Sequence, residues 1–153
     1  MRRGQAMIEC MLAVIFVTFV LFFSFHIVRL LSTKIMLDHA AARAARAKAV
    51  GFNDFMCEKS ALVAMIPAAG RRLVPAIPTA EVNRIPLYLA SENWARARGI
   101  LDYEWWGSTT VNLDEHNGLA PSVDADVWLE TDSYKLGGAA SVESHYPLYM
   151  NEF

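Results

Sequence analysis

The chain has 153 residues, room for one membrane element and one small domain but not for several. Its 54% hydrophobic content and positive mean hydropathy are high for a wholly soluble domain. A net charge of −2 without a basic, aromatic-rich patch speaks against nucleic acid, and two cysteines far apart, Cys10 and Cys57, speak against a disulfide framework.

The first stretch accounts for the hydropathy. Arg2 and Arg3 precede Gly4, then Gln5, Ala6, Met7 and Ile8 lead to Glu9, five residues after the glycine. Cys10 to Phe25 follow as an apolar run broken only by Thr18 and Ser24. Between Met11 and Phe25 there are eleven Leu, Ile, Val or Phe residues. At roughly −0.3 to −0.6 kcal/mol each they contribute on the order of −5 kcal/mol toward insertion, against at most about +3 for a carboxylate at the centre of a span. Glu9 lies near the edge and costs less, so insertion wins. Ala6 to Phe25 has the length that crosses a hydrocarbon core of about 30 Å. A lone acid at the mouth of such a span is expected to be functional.

A cleaved secretory signal peptide fits poorly. Its core should end within 7–15 residues at a small-residue site. Here the core continues to Leu31, and Ala40-Ala41-Ala42 lies beyond Arg29, Lys34 and Asp38. Charge alone leaves orientation open, because Arg2 and Arg3 at one end face Arg29 and Lys34 at the other.

No Pro or Gly occurs from Gln5 to Ala49, and the Ala-rich stretch from Asp38 to Ala49 is strongly helix-forming. One helix of about 45 residues, roughly 68 Å long, is predicted, with Gly51 as its stop. Arg43 and Arg46 read as a solvated face. Asn53 is placed to cap a second helix, with Phe55, Leu62, Met65 and Ile66 at helical spacing and Pro67 ending it. Gly70, Pro75, Pro78 and Pro86 mark an irregular connection, and Leu87 to Arg98 reads as one further helix closed by Gly99.

The chemistry changes at Ile100. From Arg29 to Arg98 there are eleven basic and five acidic residues, whereas from Asp102 onward there are ten acidic residues and only Lys135. This reads first as a solvated acidic face, with matching between neighbouring subunits as the sharper alternative. Leu101, Tyr103 and Trp105 alternate with Asp102 and Glu104, Gly107-Ser108 suits a turn, and Thr109, Val111 and Leu113 continue the alternation. After a second turn at Asn117-Gly118, Val123, Ala125, Val127 and Leu129 alternate with Asp124, Asp126, Trp128 and Glu130. Gly137-Gly138 is expected to break the chain before a last strand through Val142, Tyr146, Leu148 and Met150, held at an edge by Pro147. Three or four antiparallel strands result, with the Ala-rich helix as partner for their apolar face. Trp105, Trp106 and Trp128 read first as packing. A binding patch is the alternative, for which Trp106 and Trp128, off the apolar alternation, are the better surface candidates.

No phosphate loop, nucleophile elbow, zinc-protease helix or dinucleotide fingerprint is present. His26, His39, His116 and His145 are scattered. Asp124, Asp126, Glu130 and Asp132 lack the order of a calcium loop. No catalytic residue, metal site or cofactor is expected.

The Arg-Arg-Gly leader, the Gln5-Ala6-Met7-Ile8-Glu9 wording and the apolar run after it resemble the class III signal of type IV pilins and pseudopilins. The closest likeness is to TadE-like minor pilins of the tight-adherence system. The resemblance is specific over about residues 2–25 and diffuse to about residue 50. It implies cleavage by a prepilin peptidase after Gly4, a new N-terminus at Gln5 and retention of Glu9 for assembly, with Arg2 and Arg3 as leader charges. It also implies a bacterial inner-membrane protein, N-terminus inside and head outside. Its partners would be other pilin subunits and the pilus assembly platform, and it would carry out no catalysis. Cys10 stands where the major pilin of that system carries Tyr, and no Pro interrupts the span. Gln5 departs from type II secretion pseudopilins, which usually place Phe or Met after the cut. The competing class is an uncleaved, single-pass binding or envelope protein. The expected fold is α+β: a leader over 1–4, a long helix over 5–50 that spans the membrane at about 6–28, and a head with an antiparallel sheet over 51–153.

Overall fold

The computed structural model describes residues 2–75, 83–116 and 121–144, with side chains from Ala6 onward. Helix α1 runs Arg2–Ala49 without interruption, as the lack of Gly and Pro after Gln5 dictates. Its end is set by Gly51, whose φ of +96° lies in the left-handed region that glycine adopts without penalty. Gly51 N–H donates to Lys48 O at 2.8 Å and Phe52 N–H to Ala47 O at 3.1 Å. Together these bonds satisfy two of the carbonyls that a helix end leaves open.

The chain divides into two units, Met1–Thr33 and Lys34–Phe153. The second half of α1 therefore belongs to the head. Helix α2 (Asp54–Ala64) starts at Asn53, whose Oδ1 accepts from Met56 N–H at 2.9 Å. A 3₁₀ turn at Ile66–Ala68 carries Pro67 where α2 stops. Strand β1 (Arg72–Val74) pairs antiparallel with β2 (Asp102–Tyr103). Between them lie α3 (Ile85–Leu89) and α4 (Trp94–Ile100). Strands β3 (Thr109–His116), β4 (Ser122–Glu130) and β5 (Lys135–Glu143) form an antiparallel sheet in the order β3-β4-β5.

The main core lies between that sheet and α1. Val123, Ala125, Val127 and Leu129 of β4 are buried, as their alternation predicts. Against them pack Leu37, Ala40, Ala41, Ala44 and Ala45, all fully buried. Their spacing of three and four residues makes one helical stripe. Its alanines keep the helix axis close to the sheet. At Gly138 a side chain would overlap the Leu37 carbonyl and the Asp38 nitrogen, so backbone touches backbone there. A second cluster holds Leu62, Ala69, Tyr88, Ala97, Leu101, Tyr103 and Trp106.

Several expectations are corrected. Gly137 and Gly138 do not break the chain but sit inside β5, one beneath the Trp128 ring and the other beneath α1. The supposed helix Leu87–Arg98 is two, because Asn93 caps a new start with its Oδ1 on Arg96 N–H at 2.8 Å. The stretch from Tyr103 to Ser108 does not run on as one strand. It leaves β2, makes a 3₁₀ turn at Trp106–Ser108 and only then enters β3. The irregular connection contains β1. Strand β5 starts at Lys135, before the expected last strand, and includes Val142. The proposed turn at Asn117-Gly118 and the positions His145 to Met150 lie outside the described residues.

Candidate functional site

Among the described residues, one helix has a stretch long and apolar enough to cross a membrane. Every described side chain from Ala6 to Ser32 is exposed, including Phe16, Phe19, Phe22, Phe23 and Phe25. The hydroxyls in this stretch are satisfied within the helix. Thr18 Oγ1 donates to Val14 O and Ser24 Oγ to Val20 O, both at 2.8 Å. Such internal bonding is what a hydrocarbon environment demands. Glu9 is exposed on this helix and forms no hydrogen bond or ion pair within the described residues. Cys10 beside it is a free, exposed thiol. The backbone of Arg2, Arg3, Gly4 and Gln5 belongs to α1, and their side chains lie outside the description. No two of the predicted site residues are joined by a described side-chain contact.

In the head, a buried lysine was missed by sequence reasoning. Lys59 is fully buried. Its Nζ donates to Leu89 O at 2.6 Å, to Ser91 O at 2.8 Å and to Ser91 Oγ at 3.0 Å. The ammonium also lies 4.5 Å from the centre of the Phe55 ring. Burial pushes its pKa down. The signal was its position: Phe55, Lys59 and Leu62 share one face of α2, so the lysine falls on the stripe already read as apolar. A second lysine, Lys48, bridges Asp54 Oδ1 and Glu115 Oε1, both at 2.8 Å. Hydrogen bonds to Asp54 and Glu115 raise its pKa. Cys57 is buried, and desolvation pushes its thiol up to about 11, which keeps it inert at neutral pH.

Two depressions adjoin on the head and share Glu58 and Val111. The first, of about 270 Å³, is lined by Glu58, Leu62, Tyr88, Trp94, Arg98 and Trp106, and by β3 from Thr109 to Val111. The second, of about 380 Å³, is lined by Asp54, Glu58 and Asp126, and by β3 from Val111 to Asp114. Desolvation, and then the charge of Asp54, raise the pKa of Glu58. Trp106, a surface candidate by its spacing, is buried. It packs 5.1 Å from the Tyr88 ring and 4.8 Å from the Tyr103 ring. Tyr88 Oη and Trp106 Nε1 are buried without a hydrogen-bond partner among the described residues. Burial, then the Asp102 charge, push the Tyr88 phenol upward. Trp128, the other surface candidate, is exposed, with Lys135 Nζ 5.9 Å from its ring centre.

Among the described residues no three His, Cys, Asp or Glu side chains converge on a point that would hold a metal. His116 Nδ1 lies 3.5 Å from Asp124 Oδ2 at the surface. No protein-family model, curated protein or solved structure matches the chain.

Proposed function

We propose that the chain is a membrane-anchored pilin-like subunit, of the kind that the TadE-like minor pilins represent, without catalysis of its own. The observation that carries the reading is Glu9. It is the one acidic side chain in the exposed apolar stretch of α1 from Ala6 to Ser32, and it has no partner among the described residues. A carboxylate so placed is costly in lipid and is kept where something outside the chain meets it. The spacing Gly4 to Glu9 after Arg2 and Arg3 supplies the rest: a processing site for a prepilin peptidase and a retained acid for contact with other subunits. The head, built on the second half of the same helix, would face outward from a bacterial inner membrane. Intact-mass measurement of the membrane-extracted protein tests this reading. In cells that contain the matching peptidase the mature mass is expected to begin at Gln5, and Gly4→Ala is expected to abolish the cut. A retained Met1 terminus under those conditions overturns it.

An uncleaved, anchored binding protein is the second reading. The paired depressions on the head favour it.

A further inference from the structure

Helix α2 and strand β3 both line each of the two depressions; α3, α4 and the Trp106–Ser108 turn complete the first, and Asp126 of β4 the second. On the helix side stand Asp54, Glu58 and Leu62, four residues apart and so on one face. On the strand side, all four residues from Val111 to Asp114 line the second depression. Successive strand residues point to opposite faces. A hollow that meets all of them, and Asp126 of β4 opposite Asn112, therefore wraps around the edge of the strand onto the outward face of the sheet.

That edge is open. β3 is the outer strand of its sheet and pairs with β4 alone. Beyond that ladder, its backbone makes no hydrogen bond among the described residues. The opposite edge of the sheet is treated differently. Lys34 Nζ donates to Gly137 O at 2.6 Å, and Ala139 N–H donates to Asp38 Oδ1 at 3.3 Å, so α1 covers part of β5. Open edges are templates for another strand, and proteins usually blunt them. The edge of β3 is left open where a groove adjoins it.

The groove also has a sign. Lys48 already holds Asp54. Glu58, Asp114 and Asp126 form no ion pair among the described residues; Arg98 lines the first depression together with Glu58 but is not paired with it. Glu58 is moreover partly desolvated and pressed by its acidic neighbour. A cation arriving there would relieve that repulsion.

We propose that this groove binds an extended, basic segment of a partner polypeptide, which adds as a strand to the edge of β3 and sets its cationic side chains against Glu58, Asp114 and Asp126. The lining from Thr109 to Asp114 is about 17 Å of strand, so the added segment has about five residues in contact. Main-chain bonds would supply affinity, and the carboxylates would select charge. The inference does not depend on whether the chain is processed.

The test uses the detergent-solubilised full chain and three capped hexapeptides. One carries Lys at every position, because Asp114 and Asp126 stand on the outward face of the sheet and Glu58 on the helix side of its edge. The second replaces Lys by Glu. The third is the Lys peptide with N-methyl groups on alternate backbone nitrogens, which cannot complete a strand ladder. Calorimetric titration is expected to detect the Lys peptide and not the Glu peptide. N-methylation should weaken binding about tenfold or more, and Glu58→Gln with Asp114→Asn should do the same. Lys135→Ala, on the distant strand, should leave binding unchanged. Equal binding of the N-methylated peptide would reduce the site to loose charge attraction and overturn strand addition. Undiminished binding by the Glu58→Gln, Asp114→Asn variant, or no binding of the Lys peptide at millimolar concentration, also overturns the proposal. Sedimentation of the chain alone completes it: self-association abolished by the same double variant would assign the edge to a second copy and displace the partner proposed here.

Discussion

Lys59 concentrates the head's most demanding chemistry in one atom. Its Nζ feeds three acceptors in the Leu89–Ser91 segment, which separates α3 from α4. Replacing it by Met keeps the packing against Phe55 and leaves buried carbonyls without donors. Each unsatisfied buried group costs about 1–3 kcal/mol, and loss of the ammonium's own desolvation penalty offsets part of that. Lys59→Met is therefore expected to lower stability by about 1–3 kcal/mol, read as a shifted denaturant midpoint of the solubilised chain. An unchanged midpoint would mean that these bonds do not hold the segment. Lys48 acts in the opposite sense. Its pKa is raised in the folded state, so its contribution is fully present below its ordinary value of 10.5 and is lost as pH climbs beyond that. The stability gap between wild type and Lys48→Met should be constant at neutral pH and shrink above pH 10.5. A gap that widens there would contradict the double bridge to Asp54 and Glu115.

At the scale of elements, the contact of α1 with the sheet depends on the absence of a side chain at one place. Gly138 meets the backbone of Leu37 and Asp38, so Gly138→Ala must push helix and strand apart. The expected loss is about 1–3 kcal/mol, as for other overpacked sites. Gly99 is the control. It lies inside α4 with open space around it, and Ala there should stabilise by up to about 1 kcal/mol. Similar effects of the two substitutions on thermal unfolding would show that the close approach is unimportant. The same glycine shows where sequence reasoning reached and where it stopped. Helix α1, the Asn53 cap and the inward face of β4 were legible, because each follows from local spacing or a single capping residue. Gly137-Gly138 was misread as a break, because its cause lies a hundred residues away in the backbone of α1. The split between α3 and α4 was missed because Asn93 was not weighed as a cap. The groove had no signal at all, since Glu58 and Asp114 share it only once α2 and β3 fold side by side.

For the whole molecule, the question is what the first unit would contact under the proposed anchoring in a membrane. Its described surface is apolar from Met11 to Phe25 apart from Thr18 and Ser24, and lipid can cover all of that. Lipid cannot satisfy Glu9. Under the proposed processing, removal of residues 1–4 takes away Arg2 and Arg3 and frees an α-amino group on Gln5, with a reference pKa of roughly 7.7–8.0. That amine is largely cationic at neutral pH. It lies one helical turn from Glu9 in its own chain, and axial stagger between neighbouring chains would bring the amine of one to the carboxylate of the next. Leaving either charge alone near lipid costs several kcal/mol by order of magnitude, and pairing offsets much of it. The pair would therefore set the register of neighbouring subunits more than it would add stability. Glu9→Gln is expected to insert and to be cut after Gly4 as wild type does, because the apolar run is unchanged and the substitution lowers the insertion cost. The same variant should fail to co-purify with partner pilins. Glu9→Asp should retain part of the association, since it keeps the charge with a shorter reach. Co-purification of each variant from membranes, with the N-terminal mass measured in parallel, separates the steps. If Glu9→Gln is retained with its partners as well as wild type, the carboxylate is not an assembly contact, and the uncleaved anchor becomes the better account of the chain.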